Sequence, residues 1–85
     1  MSKIEKLKDR IRIIPTDFHY NEAKTLLNAL GFDELTKGKT SGSRVRFYRE
    51  RDGLIIDLHK PHPRSIMRKY AVKQIVEVLK ECGDL

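Results

Sequence analysis

The sequence predicts an α+β fold, in which a three-stranded antiparallel sheet carries helices on one face in the order α-α-β-β-β-α. Apolar residues recur every three or four positions near both ends of the chain, which is typical of amphipathic helices. Across the middle they alternate with polar residues, which is typical of strands. An Asp-Gly pair between two alternating segments indicates a β-hairpin. A length of 85 residues predicts one domain, residues 1–85.

Three helices are predicted, each with a physical start or stop. The first covers about residues 3–12 and ends before Pro15, because proline cannot continue a helix. The second covers about residues 19–30 and ends at Gly31, where a left-handed backbone is favoured. The third covers about residues 69–82. Their apolar stripes consist of Ile4, Leu7, Ile11 and Ile14, then Ala23, Leu26, Leu27 and Leu30, then Val72, Ile75, Val76 and Leu79.

Three strands are predicted between the second and third helices, over about residues 32–37, 43–50 and 54–60. Leu35 is expected to point into the core from the first strand. If Asp52 and Gly53 form a two-residue turn, the numbers of facing residues sum to 105, so Arg46 faces His59.

Side-chain alternation assigns the two faces of the hairpin. The core face takes the apolar residues Val45, Phe47, Leu54, Ile56 and Leu58. The opposite face takes Arg44, Arg46, Tyr48, Asp57 and His59. The pattern agrees from both strands, so it predicts arginine and histidine together on the solvent side of one sheet.

Basic charge is concentrated in two blocks of the chain, whose net charge is +6 overall. Residues 36–51 hold six basic side chains and one acid, and residues 59–73 hold five basic side chains and no acid, so each block carries +5. The other 54 residues carry 6 − 5 − 5 = −4. This segregation favours a polyanionic partner, either nucleic acid or an acidic protein; the alternative is a solvated basic surface that keeps the protein soluble.

The loop before the second strand combines glycines and serines with two lysines, Lys37 and Lys39. Free backbone N–H groups and lysines can together hold a phosphate. The spacing is not that of a P-loop, so an ordinary polar loop is the alternative.

The only cysteine, Cys82, excludes an intramolecular disulfide and suits a reducing cytoplasm. A metal site on His59 and His62 would lack a third good ligand nearby, so we expect neither a metal nor another cofactor. We also expect no membrane association, because no segment approaches a membrane span and the N-terminus lacks the apolar core of a signal peptide.

Two strings, TSGSRVRF (residues 40–47) and LHKPHP (58–63), together with Gly31-Phe32, resemble the HicA toxin family. The resemblance covers about residues 17–83, which leaves residues 1–15 as an extra N-terminal helix. It implies a fold similar to the double-stranded-RNA-binding domain. It also implies a toxin that cleaves messenger RNA without a metal, and a HicB-type antitoxin that covers the active face.

The family has a histidine, taken as catalytic, at or just after the Gly-Ser pair, whereas here Arg44 follows Ser43. We therefore hypothesise that His59 supplies the imidazole from the neighbouring strand, and that Arg44 and Arg46 hold the scissile phosphate. His62 is a second candidate, either as an acid or as a substrate contact. Histidine titrates near neutrality, and the arginine fork binds two phosphate oxygens. The alternative is that His59 is an ordinary exposed strand residue and His62 part of a rigid proline corner.

The expected RNA contacts lie in and around the hairpin, where Tyr48 can stack an unpaired base or simply shield the sheet. They are Lys37, Lys39, Ser43, Arg46, Tyr48, Lys60 and Arg64. Two other functions remain open. One is a non-catalytic RNA-binding module of the same fold, because Arg44 replaces the family histidine. The other is a protein-interaction domain whose basic face binds an acidic partner.

Overall fold

A computed structural model, which describes residues 3–35, 44–59 and 66–85, confirms the α+β class and the predicted element order. The elements are α1 (Lys3–Arg12), α2 (Tyr20–Ala29), β1 (Asp33–Leu35), β2 (Arg44–Arg49), β3 (Leu54–His59) and α3 (Lys69–Glu81). The antiparallel sheet has the order β1-β2-β3, so β2 is its central strand. Among the described helices, none has the length and apolar character needed to cross a bilayer.

One hydrophobic core lies between the sheet and the helices. The sheet contributes the inward side chains of β2 and β3, and every helix contributes its apolar stripe. The buried residues include Leu7, Ile11, Phe18, Ala23, Leu26, Leu27, Phe32, Val45, Phe47, Ile56, Leu58, Val72, Ile75, Val76 and Leu79. The predicted core and solvent faces of the hairpin are therefore confirmed.

Helix α1 is attached to the start of α2 by Arg10. Its guanidinium donates hydrogen bonds to both carboxylate oxygens of Glu22, at 2.8 and 3.2 Å, and to the backbone carbonyl of Asp17 at 2.9 Å. The hydrogen bond from Arg10 lowers the pKa of Glu22. The chain then turns through Ile14, whose φ of 49° is unusual for a β-branched residue.

The starts of α2 and α3 lie next to each other. A β-bridge pairs His19 with Ile66, and the Met67 N–H donates to the Phe18 carbonyl at 2.7 Å. At the other end of α2, Arg49 at the end of β2 donates a hydrogen bond to the Leu30 carbonyl. Both N-termini therefore lie at the end of the molecule opposite the hairpin turn.

The predicted hairpin register is wrong by two residues. Arg44 pairs with His59, Arg46 with Asp57 and Arg49 with Leu54, so facing numbers sum to 103 and not 105. The connection comprises residues 50–53, four residues in place of the expected two. A shift of two preserves the faces, because side chains alternate with a period of two, but it changes which residues are opposite each other.

The prediction that Leu35 points inward is also wrong, because Leu35 is 47% exposed. Phe32, just before β1, fills the core, and Glu34 takes the inward position opposite Phe47. Glu34 forms a 3.0 Å ion pair with Lys24 there. Burial, with the charge and hydrogen bond of Glu34, raises the pKa of the nearby Tyr20 to about 12.

Arg49 is the one buried charged residue of the described chain, with 1% exposure on the core side of β2. Its guanidinium donates to both carboxylate oxygens of Asp52, at 3.1 and 2.8 Å, and to Asp84 at 2.6 Å. It also donates to the Leu30 carbonyl at 3.0 Å and to the Cys82 sulfur at 3.3 Å. Arg49 thus joins the hairpin turn to the ends of α2 and α3.

The aliphatic part of the Arg49 side chain restricts which residue can occupy position 31, just before Phe32. The guanidinium lies 4.6 Å from the centre of the Phe32 ring, close enough for a cation–π contact. Gly31 has a φ of 98°, and a Cβ there would lie 3.3 Å from Cδ of Arg49. Glycine is therefore required at this position by both its backbone conformation and the approach of Arg49.

The Arg49 cluster also holds its carboxylates in the charged form. The hydrogen bond from Arg49 lowers the pKa of Asp52. Burial tends to raise the pKa of Asp84, but hydrogen bonds from Cys82 and Arg49 outweigh burial, so that pKa is also lowered.

We expect Arg49→Leu to lower the free energy of unfolding by about 3 kcal/mol or more, because it leaves part-buried acceptors without their cation. Arg49→Lys should give an intermediate loss, because lysine retains the charge but not the planar fork. Urea unfolding followed by circular dichroism measures both. The control is Arg51→Leu, which removes an exposed arginine 3.6 Å from Asp84 and should change stability by only about 0.5 kcal/mol. Equal losses for Arg49→Leu and Arg51→Leu would contradict the role of the buried cluster.

The Arg49 cluster and the Arg10–Glu22 pair predict loss of stability in acid. Because folding lowers the pKa of Asp52, Asp84 and Glu22, their contribution is complete above the ordinary carboxyl pKa of about 4 and is lost as the pH falls through the folded values. Urea midpoints measured over a pH series should therefore decrease below about pH 4. The decrease should be shallower in Arg49→Leu, so parallel curves for that variant and the wild type would refute the assignment.

Candidate functional site

The sheet face opposite the core, here called the open face, holds the candidate site. In the described chain it comprises Asp33, Leu35, Arg44, Arg46, Tyr48, Ile55, Asp57 and His59. All are exposed except Tyr48, which is half-buried. Strand pairing arranges them in three rows across the sheet, and each row has a different chemistry.

The first row pairs Arg44 with His59 at the end of the hairpin away from its turn. Directly opposite residues in an antiparallel pair have Cβ atoms about 5 Å apart, so imidazole and guanidinium can reach one phosphate. Arg44 forms no salt bridge with another described residue. The predicted proximity of His59 to Arg44 is confirmed, although the pairing is direct and not diagonal.

The second row places Leu35, Arg46 and Asp57 side by side. Arg46 donates to both carboxylate oxygens of Asp57, at 2.7 and 3.3 Å. The hydrogen bond and charge of Arg46, with a smaller contribution from Arg44, lower the pKa of Asp57. The predicted pairing of Arg46 with His59 is wrong, and Asp57 is engaged by Arg46.

The third row contains Asp33, Tyr48 and Ile55. Ile55 is 48% exposed, and Leu35 from the second row is diagonal to Tyr48. Leu35 and Ile55 were missed as site residues by sequence reasoning. Alternation alone could have placed Ile55 outside, since Leu54 and Ile56 flank it on the core face.

The open face is less cationic than the charge blocks suggest. Arg44 and Arg46 are balanced by Asp33 and Asp57, so with neutral histidine the formal charge of its described residues is zero. Because Arg46 pairs with Asp57, Arg44 is the arginine without a carboxylate partner among the described residues of this face.

Several predicted site residues lie outside the described part of the chain. They are Lys37, Lys39, Ser43, Lys60, His62 and Arg64. Arg44 and His59 end the described strands next to these two segments, so the sequence neighbours of both segments meet in the first row. Over the described residues, no group of three His, Cys, Asp or Glu side chains is arranged to hold a metal.

Comparison with protein-family models matches residues 20–83 to the family described as HicA toxin of bacterial toxin-antitoxin. The match covers 64 of the 85 residues and contains every strand together with α2 and α3. The chain belongs to the HicA toxin family. No curated protein and no solved structure gave a significant match.

Membership of the HicA family implies an antitoxin partner, because these toxins belong to toxin–antitoxin pairs. Helix α1 precedes the matched residues, yet Leu7 and Ile11 belong to the common core. In this HicA chain, therefore, the residues before the match complete the packing of the family domain.

The second row gives a test of the observed register. In Arg46→Gln the pKa of Asp57 should rise toward its ordinary value, because the two charge-assisted hydrogen bonds are lost. Arg44→Gln should raise it less, because Arg44 acts on Asp57 through charge alone. Carbon-detected NMR titration of the Asp57 carboxyl measures both shifts. An equal or larger effect of Arg44→Gln would argue against the Arg46–Asp57 pairing.

Proposed function

We propose that this HicA chain is a ribonuclease that cleaves messenger RNA in the cytoplasm without a metal and is neutralised by a HicB-type antitoxin. The observation that carries the proposal is the direct pairing of Arg44 with His59 on the open face. An imidazole for proton transfer and a guanidinium for phosphate binding are what cleavage by the 2′-OH requires.

The proposed reaction is a displacement within the RNA strand. The 2′-oxygen attacks the adjacent phosphorus, the bond to the 5′-oxygen breaks, and the products end in a cyclic phosphate and a 5′-hydroxyl. His59 takes the proton of the 2′-OH as general base. A general acid returns a proton to the 5′-oxygen, a role for which we propose His62. Arg44 binds the non-bridging oxygens as negative charge develops on them.

The lysines and polar residues that precede Arg44 or follow His59 in the sequence fit the same substrate. Lys37, Lys39, Ser43, Lys60 and Arg64 follow or precede the strand ends that carry Arg44 and His59. We propose that they bind flanking phosphates, which would make RNA affinity decrease steeply with salt. Arg46 can join them through the N–H groups that it does not donate to Asp57, or by exchanging Asp57 for a phosphate.

A second candidate has its own supporting observation. Arg44 occupies the position where the family has its histidine, so this chain can be an RNA-binding module that has lost cleavage. A purified protein that binds RNA in a salt-dependent manner but leaves it intact would favour this candidate.

We expect His59→Ala to reduce RNA cleavage by about 10²- to 10⁴-fold, the usual contribution of general acid–base catalysis. Arg44→Ala should also reduce cleavage, whereas Arg51→Ala should not, because Arg51 lies in the hairpin turn, at the other end of the two strands from the first row. Gel analysis of purified variants, with and without a chelator, measures the rates.

Two further observations make this test decisive. RNA with 2′-deoxy sugars throughout should remain intact, because the proposed nucleophile is missing. Expression of the wild type in a bacterial host should stop growth, and His59→Ala should not. Unchanged cleavage in His59→Ala, with normal folding by circular dichroism, would refute the assigned role of His59.

A further inference from the structure

We propose that Leu35, Tyr48 and Ile55 form an apolar strip on the open face that binds unpaired bases of an RNA strand whose phosphate lies at Arg44 and His59. This proposal rests on the RNA-binding part of the proposed function. It adds a separate binding site for bases and a substrate class, single-stranded RNA.

The three residues are neighbours on the open face, where Asp33 lies directly opposite Tyr48 on β1. Ile55 is directly opposite Tyr48, and Leu35 is diagonal to Tyr48 on the other neighbouring strand. Leu35 and Ile55 are 47% and 48% exposed, and they are two of the four large apolar residues that remain exposed in the described chain. A half-buried tyrosine between two aliphatic side chains offers a fixed aromatic surface to a planar ligand.

Bases fit this strip better than a protein partner does. Stable protein interfaces need about 800 Å² from each side, which three partly exposed side chains do not provide. A base needs only one flat apolar contact, and aromatic stacking accepts any base. The neutral charge of the open face is also compatible with bases, because the phosphate charge has its own partner in Arg44 at one end.

The spacing of the rows predicts which nucleotide the strip binds. Arg44 and Tyr48 are four residues apart along β2, which corresponds to about 13 Å. A stacked nucleotide step is only about 3.4 Å along a strand, so the stacked base belongs to a nucleotide beyond the cleaved phosphate. Between the two rows, the planar Arg46–Asp57 pair can contact the intervening base through its guanidinium face.

Duplex RNA cannot use the strip, because its bases are already stacked and paired. The open face should therefore discriminate in favour of single strands through Tyr48, while the phosphate contacts of Arg44 serve either form. Recognition of the bases at the strip and the proposed chemistry at His59 are thus carried by different residues.

The test uses the full chain with three RNAs: a dinucleotide, an unstructured strand of about ten nucleotides, and the same strand in a duplex. Tyr48→Ala should weaken binding of an uncleavable 2′-O-methyl version of the single strand by about 5- to 100-fold, measured by fluorescence anisotropy. It should slow cleavage of the dinucleotide, which is too short to reach the strip, far less than cleavage of the single strand, and it should weaken duplex binding far less than single-strand binding. Tyr48→Phe should retain single-strand binding, because phenylalanine can still stack.

Tyr70→Ala is the matched control, because it removes a tyrosine that is 65% exposed on α3, away from the sheet. Equal losses for Tyr48→Ala and Tyr70→Ala, or no loss for Tyr48→Ala, would overturn the strip. So would a loss of antitoxin binding in Tyr48→Ala without a loss of RNA binding, which would make the strip a protein interface.

Failure of the strip can be distinguished from failure of the proposed function. If His59→Ala loses cleavage while Tyr48→Ala behaves like the wild type on every RNA, the strip is refuted and the ribonuclease assignment stands. If the wild type neither binds nor cleaves RNA, both are refuted.

Discussion

A buried guanidinium at the closed end of the hairpin is the interaction on which the arrangement of the sheet depends. Arg49 binds Asp52 through two hydrogen bonds within one turn of chain, and it binds Leu30 and Asp84 at the same time. Charge in a core is costly unless every donor finds an acceptor, so these partners must assemble together. With these hydrogen bonds in place, the hairpin turn cannot easily gain or lose residues.

The register follows from this constraint. A two-residue turn at Asp52 and Gly53 would add Glu50 and Arg51 to the strands and place Arg49 opposite Ile56. In the observed pairing the strand ends at Arg49, opposite Leu54, and the turn folds back so that Asp52 reaches the guanidinium. The pairing of Arg44 with His59, at the far end of the same two strands, therefore depends on the contacts of Arg49 at the turn.

Sequence patterns predicted the element order and both faces of the hairpin, because alternation is a property of each strand alone. They did not predict the register, which depends on Arg49 finding partners in the hairpin turn and at the ends of α2 and α3. Leu35 was misplaced for a related reason. Strand β1 has only three residues, so its pattern was too short to show that Phe32 fills the core and that Glu34, paired with Lys24, faces inward.

The observed register also determines whether His59 can take the place of the family histidine. The resemblance to HicA places a histidine at the position of Arg44, and the residue directly opposite on β3 is His59. Opposite positions of an antiparallel pair lie about 5 Å apart, so side chains from either strand can reach the same phosphate. Under the proposed function, exchanging the two residue types between the strands would therefore change the atoms that carry each role but little of the geometry. In the register with facing numbers summing to 105, His59 would face Arg46 instead, and the position after Gly-Ser would have no imidazole opposite it.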